Sequence, residues 1–183
     1  MKKLGKATLI VAKLLEVGHW IAVVAMAVVF VLSLFMGAGV VQNIGAAEVG
    51  ETLSADGFEV SIVDNAGQVS VAGLRLFCVG AVLILGLMAM VFRNIYLILK
   101  KSENATPFQK DNVRMVREIG IFLISVPVVS LLMSVLVRAV VGPEVIETSS
   151  IGIDSIMVGL AVLCLSQFFA HGVELETEAD GLL

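Results

Sequence analysis

Long uncharged apolar stretches alternate along this chain with short segments that hold almost all of its charge, a pattern that predicts four membrane-spanning helices. The first stretch, Trp20 to Val41, is 22 residues without a charge, long enough as a helix to cross a hydrocarbon core of about 30 Å. Val71 to Phe92 is the second. Arg75 lies one turn inside its start and Arg93 just past its end, and both side chains are long enough to reach headgroups. The third runs from Ile119 to Val137 between Glu118 and Arg138, with Pro127 in its middle. A proline there removes one backbone donor and is expected to kink the helix, which neighbouring helices accommodate in a membrane. The fourth, Ser155 to Ala170, is bounded by Asp154 and His171. Upstream of the first span, Leu4, Ala7, Val11, Leu14, Leu15 and Gly18 recur at helical intervals, so that helix is expected to begin well before Trp20. A secretory signal peptide is the competing reading of the start, because Gly45, Ala46 and Ala47 follow the apolar run. The run is longer than the roughly 7–15 apolar residues of a signal core.

Between the first two spans the pattern changes period. Phe58 to Val71 alternates apolar and polar residues on either side of an Asp-Asn-Ala-Gly stretch at 64–67, which predicts a β-hairpin with Phe58, Val60 and Ile62 on one face. An isolated hairpin is marginal in water, so it must lie on the outer ends of the helices as a lid or serve as a recognition element for a partner. The expected fold is an all-α integral membrane protein: four transmembrane helices with a small extracytoplasmic β-hairpin between helices 1 and 2. It forms one domain over 1–183, with spans at 20–41, 71–92, 119–137 and 155–170. Outer loops fall at 42–70 and 138–154, the inner loop at 93–118 and an acidic inner tail at 171–183.

Composition agrees with that class, since 58% of residues are hydrophobic, 15% are charged and mean hydropathy is +1.02, against about a quarter charged in soluble domains. Charge sets the orientation. Ten of the twelve basic residues lie before the first span or between the second and third, whereas the loop at 42–70 has Glu48, Glu51, Asp56, Glu59 and Asp64 and no base. Lys- and Arg-rich short loops stay in the cytoplasm, which places both termini there and the chain in the cell membrane as a multi-pass protein.

The inner segments hold the candidate contact residues. Thr106 and Pro107 read as the N-cap and first position of a helix. On it Lys110, Arg114 and Arg117 share one face by their spacing of four and three, and Phe108, Met115 and Ile119 share another. Such a basic stripe suits anionic headgroups of the bilayer or a docked protein. Arg114 and Glu118 stand at pairing distance along the helix. Past the fourth span, Glu174, Glu176, Glu178 and Asp180 come without a base and repel at i,i+4 unless a cation compensates them. Two arrangements suit them: contact with the Lys110, Arg114 and Arg117 stripe, or a solvated tail.

No catalytic, cofactor or metal site is expected. His19 and His171 sit where spans meet the interface, Cys78 and Cys164 read as packing residues, and no metal-ligand spacing, phosphate loop or nucleophile motif occurs. Few aromatics leave no stacking surface for nucleic acid. The span centres hold no ionisable residue of the kind a solute pathway leaves. Ser33, Ser125, Ser130, Ser134, Ser166 and Gln167 read as contact points between helices. A small transporter or permeability protein is the alternative reading, and an intramembrane enzyme a third.

The stretch Ala105 to Gly120, with Thr106-Pro-Phe108, Asn112, Arg114 and Ile119-Gly120, and the ending from Phe169 to Asp180, with Gly172, Leu175, Glu178 and Asp180, resemble the DUF2975 family of uncharacterised bacterial membrane proteins. Ala179 stands where the family tail commonly has an acid or Asn. The resemblance implies a four-helix membrane protein of unknown activity, often encoded beside a small helix-turn-helix DNA-binding protein. That makes Phe108, Lys110, Asn112, Arg114, Arg117, Glu174, Glu178 and Asp180 candidate contacts for a cytoplasmic helix-turn-helix regulator or for lipid, with a regulatory or sensory role as the expectation.

Overall fold

The computed structural model describes residues 2–35, 52–61, 70–102, 109–142 and 153–180. Four long apolar helices and one two-stranded antiparallel sheet make up the architecture: α1 (Lys2–Phe35), β1 (Thr52–Ala55), β2 (Phe58–Ser61), α2 (Val71–Lys101), α3 (Lys110–Val140) and α4 (Ile153–Asp180). All four helices are long and apolar enough to cross a membrane, and the chain is a multi-pass membrane protein. As the periodicity upstream of Trp20 predicts, α1 extends back through its polar start. The acidic segment after Ala170 is helical too and continues α4. Pro127 lies inside α3, which runs on to Val140.

The chain gathers into two compact units, one of Met1–Gly18, Leu87–Ser125 and Asp154–Leu183, the other of His19–Gly86 and Val126–Ile153. The second unit contains a two-stranded hairpin whose turn the alternation did not mark. The strand at Phe58 pairs with the residues before it, Ala55 facing Phe58 and Leu53 facing Val60. The chain reverses at Asp56-Gly57, whose φ angles are 45° and 86°. Two consecutive left-handed residues are what the twist of a two-residue hairpin demands, and Asp-Gly supplies them at low cost. The stretch at 64–67 read as the turn, and Ile62 with it, lie outside the described residues.

The hairpin packs on its own helices, one of the two arrangements expected of it. Phe58 and Val60 are completely buried, and the Phe58 ring stacks on Phe77 of α2 at 5.7 Å between centroids. Gly80, one turn further along α2, makes the seat possible, because a Cβ there would stand 2.6 Å from the Phe58 ring. At the turn, Asp56 Oδ2 lies 3.9 Å from His19 Nε2 in the middle of α1. Two apolar side chains on one strand face give the hairpin apolar surface to bury against the helices.

Arg75 also departs from expectation. Rather than extending to headgroups, it is half-buried and donates through Nη2 to the Ser33 carbonyl of α1 at 2.6 Å. Among the serines read as contact points between helices, Ser33, Ser130, Ser134 and Ser166 are buried. Ser33, Ser125, Ser134 and Ser166 each donate to a carbonyl one turn back, the usual recourse of a hydroxyl in an apolar helix.

Truncating Phe58 empties the hairpin's seat. Phe58→Ala is expected to cost about 3–5 kcal/mol, read as a lower Tm of the detergent-solubilised protein. An unchanged Tm would show that the hairpin is not seated on α2.

Candidate functional site

The polar side chains of the first unit cluster at the start of α3 and around it. Gln109 begins the described part of this helix, its carbonyl accepting from Val113 N at 3.1 Å. The expected cap at Thr106 and Pro107, with Phe108, lies outside the described residues. From Lys110 onward the faces separate. Asn112, Val113, Met115, Val116 and Ile119 are buried, while Lys110, Asp111, Arg114 and Arg117 are exposed. The basic stripe therefore forms as its spacing predicts.

Acidic and amide groups hold this end together. Glu118 accepts from Arg114 Nε at 3.3 Å through one oxygen and from Asn94 Nδ2 of α2 at 3.1 Å through the other. Lys101 near the end of α2 meets Asp111 at 2.9 Å. The Lys101 ammonium holds the Asp111 carboxyl below its ordinary value. That contribution is full above the usual carboxylate range and is lost as pH falls through the lowered value; both groups face solvent, so it is small. On α1, Lys13 pairs with the buried Glu16 at 3.0 Å and lies 4.8 Å from the centroid of the Tyr96 ring, with Lys100 on the same ring at 5.7 Å. A cation over an aromatic face is attracted by its quadrupole.

Two glycines bring α3 and α4 together. A Cβ on Gly120 would stand 3.0 Å from the Gly159 carbonyl, and one on Gly159 the same distance from the Gly120 carbonyl. Only small residues let membrane helices approach so closely. Beyond this crossing the larger side chains of the two helices enclose a cleft of about 270 Å³ lined by Lys110, Val113, Arg114 and Arg117 of α3 and Ala170, Val173 and Glu174 of α4. Its floor is apolar and its α3 wall basic. Glu174 is also bonded to His171 at 3.2 Å.

The structure thus brings Lys110, Arg114, Arg117 and Glu174 to one cleft. Asn112 faces the packed side, 1% exposed, away from any surface that a partner or lipid would touch. Glu178 is exposed on α4, and the Asp180 side chain is outside the described residues. Of the acids in the tail, Glu174 lines the cleft beside the basic stripe, and the ion pair it makes is with His171 at 3.2 Å.

The family model described as a protein of unknown function, DUF2975, matches residues 55–181, well over half of the chain and inclusive of both cleft walls. The chain belongs to the DUF2975 family. No curated protein and no solved structure matches it.

In this DUF2975 protein, sequence reasoning missed Asn94, Tyr96 and the Gly120–Gly159 pair. A single Asn and Tyr following Arg93 at the end of an apolar run were a usable signal for polar ties between helices. Gly120 and Gly159 are not spaced on one helix, so no motif announces them.

Removing the Glu118 carboxylate leaves the Asn94 amide, which is buried, without this acceptor. Glu118→Ala is therefore expected to cost about 1–3 kcal/mol, and Glu118→Gln less, because its amide oxygen still accepts. Equal Tm values for the two variants would show that the Asn94 bond carries no weight.

Proposed function

We infer that this DUF2975 protein is a non-enzymatic regulatory protein of the cell membrane, with both termini in the cytoplasm, and that the charged ends of α3 and α4 hold or release a cytoplasmic helix-turn-helix regulator. The observation that carries this reading is the exposed basic face of Lys110, Arg114 and Arg117 beside Glu174 at one cleft. Side chains of both signs, exposed around an apolar floor, suit recognition of a charged, folded surface. Phe108, Glu178 and Asp180 belong to the same two segments of the chain. Orientation rests on the concentration of bases before α1 and between α2 and α3. The family is one of unknown function and supplies no enzyme activity to set against this reading.

The test is co-purification of the detergent-solubilised protein with a helix-turn-helix protein encoded beside it. Retention by the wild type, and its loss on reversing Arg114 and Arg117 to Glu, is the expected outcome. Absence of co-purification, with regulation intact after deletion, would refute the reading. Solute flux into proteoliposomes that persists through the same reversals would assign a transporter instead.

A further inference from the structure

The cleft between α3 and α4 has a chemistry that a soluble partner does not require. Val113 of α3 and Ala170 and Val173 of α4 make its lining apolar, and Lys110, Arg114 and Arg117 of α3 add three bases to it. It opens where α3 passes from the charged turns at Lys110–Glu118 into the uncharged stretch that starts at Ile119. In a membrane-spanning helix that is the level at which hydrocarbon gives way to headgroups. We propose that this cleft binds the headgroup of an anionic phospholipid, its phosphate against the three cations and the upper part of its acyl chain along the apolar floor.

Three physical points favour a lipid as the occupant. Residues four and three apart on a helix have neighbouring Cβ atoms about 5–6 Å apart, so Lys110, Arg114 and Arg117 line one side of the cleft in succession, within reach of a phosphate lying along it. Donors remain for it, since a guanidinium has five and the Arg114 contact with Glu118 is made through Nε. The volume of about 270 Å³ is near the lower end for small-molecule sites, suited to a headgroup and too small for a protein helix. The crossing at Gly120 and Gly159 fixes the cleft, because the close approach of the backbones there sets how far apart the helices stand one to three turns beyond.

Glu174 supplies selectivity. It lines the wall opposite the bases and is bonded to His171, so it disfavours a headgroup with excess negative charge and leaves a monoanionic phosphodiester as the best match. The site needs no protein partner and is tested without one.

The experiment uses the full chain in detergent, with retained lipid counted by native mass spectrometry after addition of phosphatidylglycerol, phosphatidylcholine or inorganic phosphate. Retention of phosphatidylglycerol over phosphatidylcholine is expected, and K110Q/R114Q/R117Q should weaken it by about tenfold or more. Ala170→Phe, which fills the floor and leaves every charge in place, should weaken it as well. Neutralising Arg93, Lys100 and Arg138 should leave it intact. Helical circular dichroism checks that each variant is folded. Equal retention by the wild type and the triple variant overturns the proposal, as does an equal loss in the Arg93, Lys100 and Arg138 control. Displacement of the lipid by inorganic phosphate at equal concentration would assign a free-anion site instead. Normal lipid retention by the triple variant with loss of a helix-turn-helix protein in the pull-down would assign the cleft to protein docking.

Discussion

Hydrocarbon offers nothing for a backbone amide to bond, and every element of this protein answers that constraint. Helices meet it within themselves, which is why apolar runs of this length become α1 to α4. A hairpin cannot satisfy both of its edges and is tolerated at membrane depth only where protein surrounds it. Here Phe58 and Val60 are fully buried, Phe58 against Phe77 and Gly80 of α2. Arg75 on the Ser33 carbonyl and the serines bonded one turn back are the same requirement met by side chains.

Packing in such a solvent comes from shape more than from aversion to water, since lipid tails are as apolar as leucine. Glycine does most of it here. Gly80 receives a ring, and Gly120 and Gly159 receive each other's backbone. The helices divide accordingly. In the most apolar windows of α2 and α3, 39% of positions are buried, against 6% in α1. Ile21, Val24, Val28 and Leu32 of α1 are exposed, and among its ties to other elements are those of Lys13 to Tyr96, His19 to Asp56 and the Ser33 carbonyl to Arg75.

Much of this was legible in the sequence. Long apolar runs with few charges mark the four helices, and the spacing of Lys110, Arg114 and Arg117 gives one exposed face without further information. Their meeting with Glu174 was half legible: charge complementarity pointed to it, but the register of α3 against α4 depends on Gly120 and Gly159, which lie on different helices. The hairpin was legible as a hairpin, and its turn at Asp56-Gly57 was missed. Alternation from Phe58 onward outweighed the Asp56-Gly57 pair, although that pair is the stronger local signal. Asn112 shows the opposite limit, for polarity alone places it at a surface while the helix phase turns it inward.

The seat of Phe58 also fixes an order of events. Its strand partner, Ala55, is already synthesised when Phe58 leaves the ribosome, but Phe77 and Gly80 come later in the chain. The ladder closes from neighbours in sequence, whereas docking waits for a helix that does not yet exist. During that interval two aromatic and aliphatic side chains have no place to go, so membrane insertion of α2 is the step that ends their exposure.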